Sequence, residues 1–150
     1  MSMNLSSDAA GHSRAQGRIL VVDDEPHVLA VALAMLESQG FHAVGCRSGE
    51  EALVLLAQHC PEADRFRVMV LDLTLPGGMS GFDVLEVVQV RDPELRVIAC
   101  SGFFQQDARD LCQVIGFVDI LPKPFPLENL CALVRRCLVR ERGTSTATAS

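Results

Sequence analysis

Four short apolar runs in this chain each lead into a polar residue, and that arrangement constrains the fold more than any other feature. The runs are Ile19-Leu20-Val21-Val22 before Asp23 and Asp24, Val68-Met69-Val70-Leu71 before Asp72, Val97-Ile98-Ala99-Cys100 before Ser101, and Phe117 to Leu121 before Lys123. Continuous hydrophobicity of this length, without alternation, is the pattern of a strand covered on both faces in a parallel sheet. In an open α/β sheet, ligands bind outside the carboxyl ends of the strands. The expected class is therefore α/β, with acids, a hydroxyl and a lysine converging in one crevice.

Helical patterns separate the strands. Pro26 opens the first helix, in which Leu29, Ala32, Leu33 and Leu36 keep helical spacing, and Gly40 ends it. Phe41 to Cys46 reads as the second strand, and Ser48-Gly-Glu-Glu51 as a capping box that starts the second helix. Cys60 to Arg67 is a loop. A third helix spans Gly81 to Val90 and stops at Asp92-Pro93; a fourth lies within Gln105 to Ile115, before Gly116. The last helix carries Leu127, Leu130, Cys131, Val134, Cys137 and Leu138 on one stripe. Strands and helices in alternation imply a parallel sheet with helices on both faces and right-handed crossovers.

A chain of 150 residues suits one domain. Residues 1–17 read as a flexible leader, 18–140 as the folded domain and 141–150 as a disordered tail. A net charge of -6 gives no basic footprint for nucleic acid, and the arginines near the C-terminus read as a solvated helix face. The six cysteines form no Cys-x-x-Cys pair and fall mostly in apolar segments, as buried thiols of a reducing compartment do. No signal-like or membrane-spanning segment is present in the sequence, so the expected location is cytoplasmic.

Asp23, Asp24 and Asp72 in one crevice would repel one another unless a cation neutralised them. Few hard oxygen ligands suit Mg²⁺ better than zinc, and His12, His27, His42 and His59 match no zinc spacing. Lys123 adds a positive charge able to face Asp72 or a phosphoryl group on it, and Ser101 can donate to a phosphoryl oxygen. An acceptor carboxylate, a divalent ion, a lysine and a hydroxyl are the parts of in-line phosphoryl transfer.

Ile19-Leu-Val-Val-Asp-Asp-Glu-Pro26, Leu71-Asp-Leu-Thr-Leu-Pro76 leading to Gly81, Ala99-Cys-Ser-Gly102 and Leu121-Pro-Lys-Pro-Phe125, in this order, resemble the receiver domain of two-component response regulators. The resemblance covers about Arg18 to Arg140. It implies a doubly wound (βα)5, flavodoxin-like sandwich with a five-stranded parallel sheet in the order 2-1-3-4-5. It implies Asp72 as phosphoacceptor, Mg²⁺ held by Asp23, Asp24, Asp72 and the backbone carbonyl of Thr74, and Ser101 and Lys123 on the phosphoryl oxygens. The Lys123–Pro124 bond would be cis. A histidine kinase or histidine phosphotransfer protein would be the donor.

Two departures from the family pattern bear on output. Ile120 stands three positions before Lys123, where the family usually has a tyrosine or phenylalanine that changes rotamer on activation. Pro76-Gly-Gly-Met-Ser-Gly81 is longer by a residue than the commonest loop and resembles receivers fused to hybrid histidine kinases. Phe103 stands where a side chain controls water access to the phosphoryl group, and Thr74 supplies no acid or amide, so slow self-dephosphorylation is expected. The alternative for Phe103 is packing under the fourth helix.

With ten residues after Arg140, the expected function is a stand-alone receiver that signals by protein contact. The contact would lie on the face built by the fourth helix, fifth strand and fifth helix. A phosphate sink, a relay intermediate and an unphosphorylated adaptor are the alternatives. A Mg²⁺-dependent phosphohydrolase of the haloacid dehalogenase type would want a second acid where Thr74 stands.

Overall fold

The computed structural model describes the backbone over residues 17–149 and side chains over 17–139. Five strands alternate with five helices: β1 (Arg18–Val22), α1 (Pro26–Ser38), β2 (His42–Cys46), α2 (Gly49–Ala57), β3 (Phe66–Asp72), α3 (Gly81–Arg91), β4 (Arg96–Ser101), α4 (Ala108–Ile115), β5 (Asp119–Pro122) and α5 (Leu127–Ala149). All pairings are parallel and the sheet order is β2-β1-β3-β4-β5, the doubly wound order expected. The loop before β3 contains one 3₁₀ turn, Glu62–Asp64.

The uninterrupted apolar runs are explained by the two cores that they feed. Successive side chains of a strand point to opposite faces. Leu20, Val22, Met69 and Leu71 thus join a core with Ala52, Val84, Leu85 and Val88 from α2 and α3. Ile19, Val21, Val68 and Val70 join the other core, with Ala32 and Leu36 from α1 and Leu130 and Val134 from α5. Full burial of each Leu, Ile or Val stabilises the fold by roughly 1.5–3 kcal/mol, so a polar residue within a run would be costly. Polar residues are left to the strand ends.

Helix starts follow local chemistry with one exchange of roles. Ser48 Oγ accepts from the Glu51 N–H at 3.1 Å, but Glu51 Oε1 accepts from the Arg47 N–H at 3.3 Å rather than closing the expected box. The complete box stands at α3, where Ser80 Oγ accepts from the Asp83 N–H and Asp83 Oδ2 from the Ser80 N–H. It fixes how the chain leaves the loop after Asp72. Gly116 ends α4 at φ +132°, beside the Gln89 amide, where any side chain would be strained and obstructed.

The backbone of α5 continues as helix to Ala149. The helix thus runs past the boundary expected at Arg140: Gly143 and the Thr/Ser run up to Ala149, weak helix formers, do not stop a helix already propagating. The expected leader, apart from Gly17, lies outside the described residues. Among the described residues, no helix is long and apolar enough to cross a membrane. None of the six cysteines is in a disulfide, and five of them are buried. His27, His42 and His59 are exposed.

On the edge strand, Asp119 is a buried acid that sequence reasoning passed over. Its Oδ1 accepts from the Ile120 N–H at 2.8 Å and lies 3.5 Å from Arg109 Nε of α4; its Oδ2 lies 3.4 Å from Arg136 Nη1 of α5. The carboxylate thus ties the two helices that flank β5.

Candidate functional site

Parallel register brings the polar strand ends to one level. Val22 pairs with Leu71, Asp72 with Cys100, and Ser101 with Pro122, so Asp23, Asp24, Asp72, Ser101 and Lys123 gather at the carboxyl edge of the sheet. Asp72 is 1% exposed and Asp23 3%. Ser101 is buried, and Asp24 and Lys123 are half-buried. Single carboxylate oxygens of Asp23, Asp24 and Asp72 all lie within 4.8 Å of one another.

Among the described residues, one side-chain cation pairs with these carboxylates. Lys123 Nζ stands 2.7 Å from Asp23 Oδ2, 3.0 Å from Asp72 Oδ2 and 3.7 Å from Glu25 Oε1. Burial alone lowers the pKa of Lys123, but hydrogen bonds to Asp23 and Asp72, together with their charges, outweigh it and hold the group above the ordinary lysine range. Lys123 therefore stays an ammonium at neutral pH. Three clustered carboxylates against one ammonium leave an excess of negative charge, and a set of hard oxygens fits Mg²⁺ as the balancing ion.

The remaining oxygens are held by the loops. Asp72 Oδ1 accepts from the Thr74 N–H at 2.9 Å and from the Thr74 hydroxyl at 2.8 Å. Asp23 Oδ1 accepts from the Glu25 N–H at 2.9 Å. Ser101 Oγ accepts from the Phe103 N–H at 3.1 Å and keeps its own hydrogen for donation. The Lys123 N–H donates to the Ser101 carbonyl at 2.8 Å, and the following bond to Pro124 is cis. Next to Asp72 in the register, Cys100 has its thiol pushed up to about 12 by burial, with Asp72 and Asp23 adding to the effect against the opposing charge of Lys123. It stays a protonated, inert neighbour.

Beside the cluster lies a groove of about 660 Å³, lined by Val28, Val31, Phe103 and Phe125 along with Glu25 and Lys123. Phe103 is 84% exposed, which overturns the alternative that it packs under α4; Phe104 is the ring that packs against the core. Both rings follow Gly102, and sequence order alone does not say which turns inward. Gly81 passes so close to the Asp72 carbonyl and to Leu73 that a side chain would not fit, which keeps the glycine-rich loop against the acceptor strand. Ile120 is buried in the core on the α4 side. The structure thus brings together every strand-end residue marked in the sequence. It adds the Thr74 hydroxyl and the Glu25 carboxylate, whose contacts depend on loop shape and carried no periodic signal.

A family model described as the response regulator receiver domain matches residues 19–135. The transcriptional regulatory protein PrrA of Mycobacterium tuberculosis is 36% identical over 133 residues, 89% of this chain and 54% of its own length. The DNA-binding transcriptional regulator NtrC of Escherichia coli is 32% identical over 123 residues, 82% of this chain and 25% of its own. The chain therefore spans about a quarter to a half of the length of these relatives. They are transcriptional regulators, whereas the long loop after Asp72 had pointed toward kinase-associated receivers. Among solved structures, the receiver domain of NtrX from Brucella abortus superposes with a TM-score of 0.71 at 27% identity, covering 80% of this chain and 97% of that one. The BeF3-activated DrrB receiver domain gives 0.69 at 29% identity, covering 81% and 97%. Family match, sheet order and the convergence of acids, hydroxyl and lysine at the strand ends agree, and the chain belongs to the response regulator receiver domain family.

Proposed function

We propose that Asp72 accepts a phosphoryl group from a histidine kinase or histidine phosphotransfer protein in the cytoplasm, and that the loaded domain signals by protein contacts. The observation that carries this reading is the Asp72 carboxylate, buried, aimed at Lys123 and held by Thr74. Receiver domains as a family bind Mg²⁺ through an acidic pocket and interact with such phosphodonors.

An Asp72 oxygen attacks phosphorus in line; the new O–P bond forms as the P–N bond to the donor imidazole breaks, and the imidazole leaves with the electron pair. Asp23, Asp24 and Asp72, with the Thr74 carbonyl, would hold Mg²⁺, whose charge neutralises the phosphoryl oxygens. Lys123 turns from the carboxylates to a phosphoryl oxygen, and Ser101 donates its hydroxyl hydrogen to another. Movement at Ser101 loosens its bond from the Phe103 N–H and so reaches the loop before α4, a route that does not need a ring at Ile120. Output is then read on α4, β5 and α5.

Incubation with Mg²⁺ and acetyl phosphate, followed by intact mass measurement, tests the reading. A gain of one phosphoryl group, lost in Asp72→Asn, is expected. No gain would favour an unphosphorylated adaptor, and turnover of a generic phosphate ester would revive the phosphohydrolase. With Phe103 exposed beside the groove and Thr74 offering no acid or amide, the acyl phosphate should decay slowly; a lifetime of seconds would refute that part.

A further inference from the structure

Glu25 brings a carboxylate to Lys123 in addition to those of Asp23 and Asp72. It precedes α1 at the capping position, yet its side chain makes no cap hydrogen bond. Its Oε1 instead lies 3.7 Å from Lys123 Nζ. The Glu25 side chain is 62% exposed, against 5% for Asp23 and 1% for Asp72, so it stands at the mouth of the pocket. Glu25 also lines the apolar groove that opens onto Thr74 and Lys123. Its N–H bond to Asp23 Oδ1 fixes where the side chain leaves the backbone. Near it on the pocket rim, Arg47 points its guanidinium at the Asp24 carbonyl, 3.3 Å away, and His27 shares the groove.

We propose that Glu25 is a selectivity gate that disfavours small, dianionic phosphodonors. This rests on Asp72 being the acceptor. When an acyl phosphate loads Asp72, an Asp72 oxygen bonds to phosphorus, the bridging P–O bond breaks, and the carboxylate product leaves with the electron pair. A free donor has only its own charges with which to enter. It meets the Glu25 carboxylate first, and Lys123, the ammonium beside Asp72 that would receive the phosphoryl oxygens, is held partly by Glu25. A donor protein offsets the same repulsion with contacts along the apolar groove. Glu25 is a positioning and specificity residue, acting through Lys123 and through its field at the mouth.

Because Glu25 is largely solvated, its effect is moderate and is screened by salt. The test is the second-order rate of loading by acetyl phosphate with Mg²⁺, at low and high ionic strength. Glu25→Gln is expected to load roughly two- to fivefold faster than wild type at low salt, with the gap closing at high salt. Glu25→Asp, which keeps the charge, stays near wild type. Glu94→Gln is the charge-matched control: Glu94 is exposed, precedes β4 at the opposite end of the sheet, and faces Arg65 at 3.8 Å. Its rate should not change. Equal or slower loading of Glu25→Gln, or the same acceleration in Glu94→Gln, overturns the gate. Failure of the wild type to load, or loading that survives Asp72→Asn, would instead remove the acceptor reading and the gate with it.

Discussion

Asp72 and Asp119 are both buried acids at strand ends, 1% and 5% exposed, but their surroundings are opposite in charge. Asp72 shares a single ammonium with Asp23 and Glu25, and Asp24 lies close by. Asp119 has two guanidinium groups to itself, Arg109 and Arg136, and a backbone N–H besides. Among the described residues, the first cluster has more acids than cations; the second is satisfied within the chain. Burial of an acid therefore does not mark a site here. The balance of charge around it does.

The largest expected effect is the one that would break this contrast outright. Asp72→Asn should abolish phosphoryl gain by mass, while Asp119→Asn should load like wild type. Equal loss in both variants would mean that Asp119 belongs to the chemistry and that the distinction is false.

Lys123→Met comes next. Removing the ammonium paired with Asp23 and Asp72 leaves them without it, at a cost of about 2–4 kcal/mol in denaturant unfolding. Mg²⁺ should raise the Tm of this variant more than that of the wild type, because the excess charge has grown. The pH dependence has a definite sign. The folded pKa of Lys123 lies above its unfolded value, so its stabilisation is complete below the ordinary lysine pKa, about 10.4, and is lost as pH rises through the higher folded value. Wild type should lose this stability on the alkaline side, and Lys123→Met should lack that component of the decline.

Smaller effects probe the satisfied cluster. Asp119→Asn should destabilise by about 1 kcal/mol, since Arg109 and Arg136 are more than half exposed and water can take over their solvation. Arg136→Ala should cost less than about 0.5 kcal/mol, with Arg109 still facing the acid. Mg²⁺ should leave both differences unchanged, whereas a Mg²⁺-dependent change in either would tie the β5 edge to the acceptor pocket.

The sheet and the five strand-end residues were legible because buried parallel strands impose uninterrupted apolar runs, and a run has an end that can be read. Helix starts were legible to within a few residues where a cap stood at the sequence position, as at Ser48. The box at Ser48 stays open because the Arg47 N–H and the Ser48 hydroxyl take the Glu51 carboxylate, a competition invisible in the spacing. Asp119 was missed for a related reason: its partners lie on α4 and α5, at sequence distances that follow no period. Glu25 drew no reading of its own beyond its place in the Asp-Asp-Glu-Pro motif, and only the approach of Lys123, just past β5, gives it a role. Phe103 and Phe104 were separable only once the backbone had turned at Gly102.

The place of β3 in the sheet has one more consequence. It is hydrogen-bonded on both sides, to β1 and β4, and its last residue is Asp72. Amide hydrogens of such a strand exchange with solvent only through the rarest openings of the molecule, whereas those of loops exchange through local fluctuations. Phe103, whose N–H is held by one serine oxygen, belongs to the second group. In a deuterium-labelling experiment, loading of Asp72 should therefore leave the slow β3 amides nearly still and change the uptake at Phe103. The phosphoryl group would be written on an anvil and read from a reed.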